Sequence, residues 1–142
     1  MIYTFGGLKN KNKHMLLDFN NLIKKHNLKI NGIIHIGAHI GQEHELYKKN
    51  NINNIVYFEP LSENFLRLKQ NINDDTILFN CALGNQIGEI EMFVESANMG
   101  QSSSILEPAL HTQQYPHIVF NRKETVKIDK LDNIELDFSK YN

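Results

Sequence analysis

Cysteine occurs once in these 142 residues, at Cys81. That excludes an internal disulfide framework and suits a reducing compartment. Neither sign of charge is in excess, with 15 Lys and Arg against 16 Asp and Glu and a pI near 6.6. The chain therefore carries no electrostatic footprint for nonspecific binding to nucleic acid or an anionic membrane. No stretch approaches the roughly 20 apolar residues of a membrane span, and Met1 to Asn10 lacks the basic start and apolar run of a secretory signal. His111 and His117 have neither metal-ligand spacing nor a nearby acid cluster, so no metal is assigned. Internal repeats and low-complexity linkers are absent too. What remains is a cytoplasmic protein suited to a compact polar ligand. At 41% hydrophobic, the chain suffices for one core and not for two comfortable domains.

The organising stretch runs from Asn31 to Leu46. Ile33, Ile34 and Ile36 form a short β-branched run between Gly32 and Gly37, as in a central strand of a parallel sheet. Gly37 and Gly41 allow a sharp turn and close approach of a ligand, because a Cβ at either position restricts the dihedrals or takes the ligand's space. A helix over Gln42 to Asn50 is expected next, with Glu43 and Glu45 in its first turn and Lys48 and Lys49 in its last. The unit is β-turn-α, a nucleotide-cofactor cradle with free backbone N–H groups directed into the turn.

Before it, Met1 to Lys13 lacks any period and is expected to be a flexible arm, with a single domain over 14–142. Leu16, Phe19, Leu22 and Ile23 then place one apolar helical face in Met15 to Leu28, suited to covering the sheet. After the cradle, Ile55 to Glu59 reads as a second strand, apolar until it meets a carboxylate and stopped by Pro60. Glu59 lies 22 positions beyond Gly37, near the separation of about 20 at which doubly wound folds set an acid against ribose hydroxyls. A helix over Ser62 to Ile72 follows, with Ser62 as its N-cap. Thr76 to Leu83 is the third strand, whose tip, Asn80 to Ala82, falls where an adenine ring would lie beside Glu59. Cys81 has no neighbour that would activate a thiol and reads as structural. Glu89 to Val94 alternates, with Ile90, Met92 and Val94 on one face, and is expected to form an antiparallel hairpin with the third strand. Ser96 to Leu106 is a polar loop, suited to folding over a ligand or to plain surface. Glu124 to Leu131 alternates again, with Val126 and Ile128 inward.

Several of these segments together resemble the FkbM-type family of S-adenosylmethionine-dependent methyltransferases. The resemblance rests on Ile34 to Glu43, Tyr57 to Phe65, Ala82 to Gly84, Ser102 to Leu106 and Val126 to Asp132, in that order, and extends from Gly32 to the C-terminus. It implies a mixed α/β, Rossmann-like methyltransferase sheet. It implies S-adenosylmethionine held by His35, Gly37, Ala38, His39, Gly41, Glu59, Asn80, Cys81 and Ala82, with Gly37 to Gly41 bounding the methionine portion. It also implies methyl transfer to an oxygen of a small-molecule or glycan acceptor, often a sugar or natural-product hydroxyl. No catalytic residue is assigned; His39 is the one candidate for a general base. His35 departs from the family, standing where many members have an acid, and cannot supply a formal negative charge. The family's pattern continues beyond Asn142, so the C-terminal half of the fold is expected to be missing. The first strand would then keep an exposed edge for the N-terminal helix, the C-terminal strand or a second chain to cover. Two other readings stand beside this one. One is a catalytically silent cofactor-binding or interaction module. The other is a nicotinamide-dependent oxidoreductase, disfavoured because Gly37 to Gly41 lacks the second glycine of G-x-G-x-x-G.

Overall fold

A computed structural model describes residues 18–96, 103–106 and 119–141. The expected arm over residues 1–13, most of the loop expected over 96–106, and His111 and His117 lie outside the described residues.

Two three-stranded sheets carry the fold. In the first, β1 (Gly32–Ile36), β2 (Asn54–Phe58) and β3 (Ile77–Phe79) run parallel in that order. With β1 at the edge of this sheet among the described residues, the middle strand is β2. Its residues explain why: Ile55, Val56, Tyr57 and Phe58 are all at most 2% exposed, the near-continuous apolar run of a strand covered on both faces. The crossovers are α2 (His44–Lys49) and α3 (Ser62–Asn71). Successive right-handed crossovers in one direction along a sheet put their helices on the same face. Accordingly, Tyr47 of α2 and Leu68 of α3 join Ile55 and Tyr57 in one core.

The expected N-terminal helix is α1 (Phe19–His26). Asp18 caps it, its side chain accepting a hydrogen bond from the Asn21 N–H, and Asn27 ends it in the left-handed region at φ 48°. Phe19 packs on Tyr47 with ring centroids 5.4 Å apart, so α1 covers the helical side of the sheet.

The second sheet comprises β4 (Ala82–Leu83), β5 (Gly88–Glu95) and β6 (Phe120–Asp129), in the order β4-β6-β5. This overturns the expected hairpin between the third strand and Glu89 to Val94. The third strand breaks after Phe79, and β5 instead pairs antiparallel with β6 from Gly88↔Ile128 to Glu95↔Phe120. The physical reason is in the pattern: inward Ile90, Met92 and Val94 need a partner of equal length and phase, which Val126 and Ile128 on ten-residue β6 provide and two-residue β4 does not. β4 lies on the other side of β6, parallel to it. Met92, Val94 and Val126 form a second core, closed by Leu61 from the connection between β2 and α3. At the far side of the molecule, Gly32 lacks a Cβ where one would collide with the Lys140 carbonyl oxygen. The C-terminal tract thus reaches the start of β1.

Candidate functional site

At the carboxyl end of β1 the chain turns through Gly37, at φ 76°, His39, at φ 52°, and Gly41, at φ 80°. The two glycines do different work. An added Cβ at Gly37 would meet nothing within 4 Å, so this position faces open space. At Gly41 it would lie 2.8 Å from Leu68 Cδ1 and 3.1 Å from Ile72 Cδ1. Gly41 is therefore required by packing of the turn against α3, whereas Gly37 leaves room for a ligand.

Four of the turn's N–H groups, expected from the sequence to be free, are instead engaged within the chain. The N–H groups of Gly37 and Ala38 both donate to the Phe58 carbonyl, at 2.8 and 3.0 Å, and that of Gly41 donates to Ala38 O at 2.9 Å. His39 N–H donates to Glu59 Oε2 at 2.8 Å. These satisfied donors leave a poor cradle for a pyrophosphate, which needs converging backbone N–H groups. They suit an uncharged or cationic group near Gly37. The Ile40 carbonyl accepts from Asn71 Nδ2 at 2.8 Å, which ties the turn to the last residue of α3.

Glu59 follows β2 directly and is 4% exposed. Oε1 accepts from the Leu61 N–H at 3.0 Å, while Oε2 holds His39. Burial pushes this carboxyl up; the N–H groups of Leu61 and His39, the charge of His39 and a hydrogen bond from the Asn64 side chain act against it. One carboxylate thus fastens the cradle turn to the head of α3. With Leu61, His39 and Asn64 already donating to it, the carboxylate retains about one of its roughly four acceptor positions for a further donor.

The remaining predicted residues separate. His35 packs between Tyr47 and Tyr57, with centroids 5.9 and 5.4 Å away, and its Nδ1 pairs with Tyr47 Oη at 3.3 Å. Burial lowers its pKa to about 4, so the ring is neutral at pH 7 and packs among the two tyrosine rings. The His39 ring pairs through Nδ1 with Gln42 Nε2 at 2.9 Å. Asn80 stands beside Glu59, but its Nδ2 donates to the carbonyls of Glu59 and Pro60, at 2.9 and 3.0 Å. Cys81 is half-buried, and burial, with Asp129 nearby, raises its thiol. Ala82 belongs to β4 and packs against the second core. The structure therefore joins Gly37, Ala38, His39, Glu59 and Asn80 around one carboxylate, and directs His35 and Ala82 into packing.

Sequence reading missed three residues that shape this site. Asn64 and Asn71 are asparagines on a helix, where they look like solvated surface. Glu124 on β6 accepts from the Ser62 N–H at 2.9 Å. Ser62 is thus the first residue of α3 rather than its N-cap, which is Leu61, and a carboxylate 62 positions away in sequence does the capping. For Glu124 the sequence offered no signal.

Among the described residues no group of three or more His, Cys, Asp and Glu is placed to hold a metal ion, and no helix is long and apolar enough to cross a membrane. The family model of the methyltransferase FkbM domain matches residues 35–139. No curated protein and no solved structure matches the chain.

Proposed function

The chain belongs to the FkbM methyltransferase family, and from that premise we propose that it is an S-adenosylmethionine-dependent enzyme that methylates a hydroxyl oxygen of a small molecule or glycan, within a single domain over 14–142. The observation that carries this reading is the pairing of an open position at Gly37 with a buried carboxylate at Glu59, two strands' ends apart on one sheet. Doubly wound sheets bind their ligands at the carboxyl ends of parallel strands, where both residues stand.

The residues fit the cofactor in charge and shape. The satisfied N–H groups of the turn disfavour a pyrophosphate and accept a thioether-like, positively charged group. Glu59, already fixed by His39, Leu61 and Asn64, would receive a ribose hydroxyl on its remaining acceptor position. Asn80 and Cys81, at the tip of β3, would flank the adenine. The chemistry the cofactor supplies when bound is a methyl carbon on positively charged sulfur. The protein's part is alignment: a rigid turn over a β-branched strand holds one reactant while a neighbouring surface orients the acceptor oxygen.

Calorimetric titration of the 142-residue chain with S-adenosylmethionine and, in parallel, with NAD tests the assignment. Binding of the former alone is expected. Gly37→Asn is the informative variant, because asparagine tolerates a positive φ while its side chain enters the open space. It should fold and lose about tenfold or more in affinity. Equal binding of both cofactors, or undiminished affinity in that variant, would overturn the assignment.

A further inference from the structure

Asparagine is chemically labile and abundant in this chain, yet Asn31 alone is followed by glycine. The carboxamide carbon of an asparagine can be attacked by the backbone nitrogen of the next residue. Side-chain bulk on that residue hinders the approach, and glycine has none. Asn51, Asn54, Asn71 and Asn133 each precede an isoleucine, whose branched side chain crowds the same nitrogen. Asn20, Asn21 and Asn64 are held within α1 and α3.

The fold makes this pair both reachable and irreplaceable. Asn31 is exposed, in the connection between the end of α1 at His26 and the start of β1 at Gly32. Its carbonyl accepts from Asn54 Nδ2 at 3.0 Å, a side-chain tie rather than a rung of the sheet. Gly32 is buried, and a Cβ on it would collide with the carbonyl oxygens of Lys140 and Asn54. The residue that leaves Asn31 open to attack is thus demanded by packing, and no larger side chain can shield the bond.

We propose that the Asn31-Gly32 bond is a site of spontaneous modification, in which Asn31 becomes aspartate and isoaspartate, and that isoaspartate there loosens β1. The chemistry needs only water and does not depend on the activity proposed above. The Gly32 nitrogen gives its proton to hydroxide and bonds to Asn31 Cγ; the Cγ–Nδ2 bond breaks, and ammonia leaves with a proton from water. Water then opens the resulting five-membered imide. Attack at Cγ gives aspartate, and attack at the backbone carbonyl gives isoaspartate. In isoaspartate the main chain runs through Cβ and Cγ, one carbon longer, and the former carbonyl becomes a free carboxylate.

That extra carbon falls at the first register pair of the parallel sheet. Gly32↔Asn54 sets the phase for Ile33↔Ile55 and onward to Ile36↔Phe58, and strand pairing tolerates no slip where the side chains are packed. Gly32 has no room to move against Lys140 and Asn54. The carbonyl held by Asn54 Nδ2 is displaced as well. The damage therefore enters at the start of the strand whose other end carries the cradle turn.

Peptide mapping by mass spectrometry tests the site, after the folded 142-residue chain has been warmed at mildly alkaline pH in water labelled with heavy oxygen. Asn31 is expected to exchange its side-chain nitrogen for labelled oxygen faster than Asn73 or Asn85, which are exposed but precede larger residues. Fragmentation should find both aspartate and isoaspartate at this position, and Asn31→Gln should abolish the reaction. Conversion of Asn31 no faster than of Asn73 and Asn85 would overturn the site. Asn31→Asp, which adds the same charge without lengthening the chain, is the control for the second part. Aged protein, purified from its unmodified parent by ion exchange, should have a lower urea midpoint than Asn31→Asp. It should also show less hydrogen-exchange protection at Ile33 to Ile36. Equal midpoints and equal protection would overturn the effect on β1.

Discussion

The buried carboxylate of Glu59 shows how much one side chain can carry. It is the shared acceptor for two backbone N–H groups from different segments, and a buried donor left without a partner costs about 1–3 kcal/mol. Glu59→Ala should therefore lower unfolding free energy by roughly 2–5 kcal/mol, read as a shift in the urea midpoint at constant slope. His35 gives a pH signature of its own. Burial depresses its folded pKa to about 4 from 6.5, so the unfolded chain binds the extra proton between those values. The stability it contributes is present above pH 6.5 and is lost as pH falls toward 4, at up to about 1.4 kcal/mol per pH unit. In His35→Phe, which keeps a flat ring among Tyr47 and Tyr57, the loss of stability between pH 7 and pH 4.5 should be smaller. Equal losses in both proteins would exclude His35 as the group responsible.

At the scale of the elements, the cradle turn and α3 are interdependent. Gly41 lies against Leu68 and Ile72, and Asn71 at the end of the helix holds the Ile40 carbonyl. Gly41→Ala combines a forbidden φ with overlap of packed side chains, and should cost about 2–4 kcal/mol. Gly37→Ala meets no atoms and should cost only the strain of its φ, about 1 kcal/mol. Thermal or urea unfolding of the two variants side by side distinguishes a packing glycine from a ligand-facing one. A second polar unit braces α2. Asp74 receives Lys48 at 3.1 Å and His44 at 3.3 Å, while His44 Nδ1 pairs with Tyr57 Oη at 3.2 Å. Burial would raise the Asp74 carboxyl, but hydrogen bonds from Thr76 and Lys48 and the charge of His44 hold it down at about 2. This carboxylate therefore remains ionised at neutral pH.

For the molecule as a whole, Leu61 and Glu124 are among the described residues that link the two sheets. Leu61, 3% exposed, leaves the end of β2 and buries itself among Met92, Val94 and Val126 of the second sheet. Glu124 reaches back from β6 to the head of α3. Leu61→Ala should cost about 2–4 kcal/mol. In hydrogen exchange it should also lower protection across β5 and β6 more than across β1. Uniform loss of protection would instead describe a single cooperative unit.

The strand-turn-helix around Gly37, the apolar second strand ending in Glu59, and the alternation of β5 and β6 were all legible in the sequence, because period and punctuation are local properties. So was the family, since its motifs keep their order along the chain. Local signals could not specify which strand lies in the middle, which partner β5 selects, or that Gly41 serves packing and Gly37 open space. Nor could they show that the N–H groups of Gly37, Ala38, His39 and Gly41 are already engaged, or that Glu124 caps a helix from another sheet. Each of these depends on which residues distant in sequence become neighbours once the apolar faces are buried, and only the tertiary structure decides that.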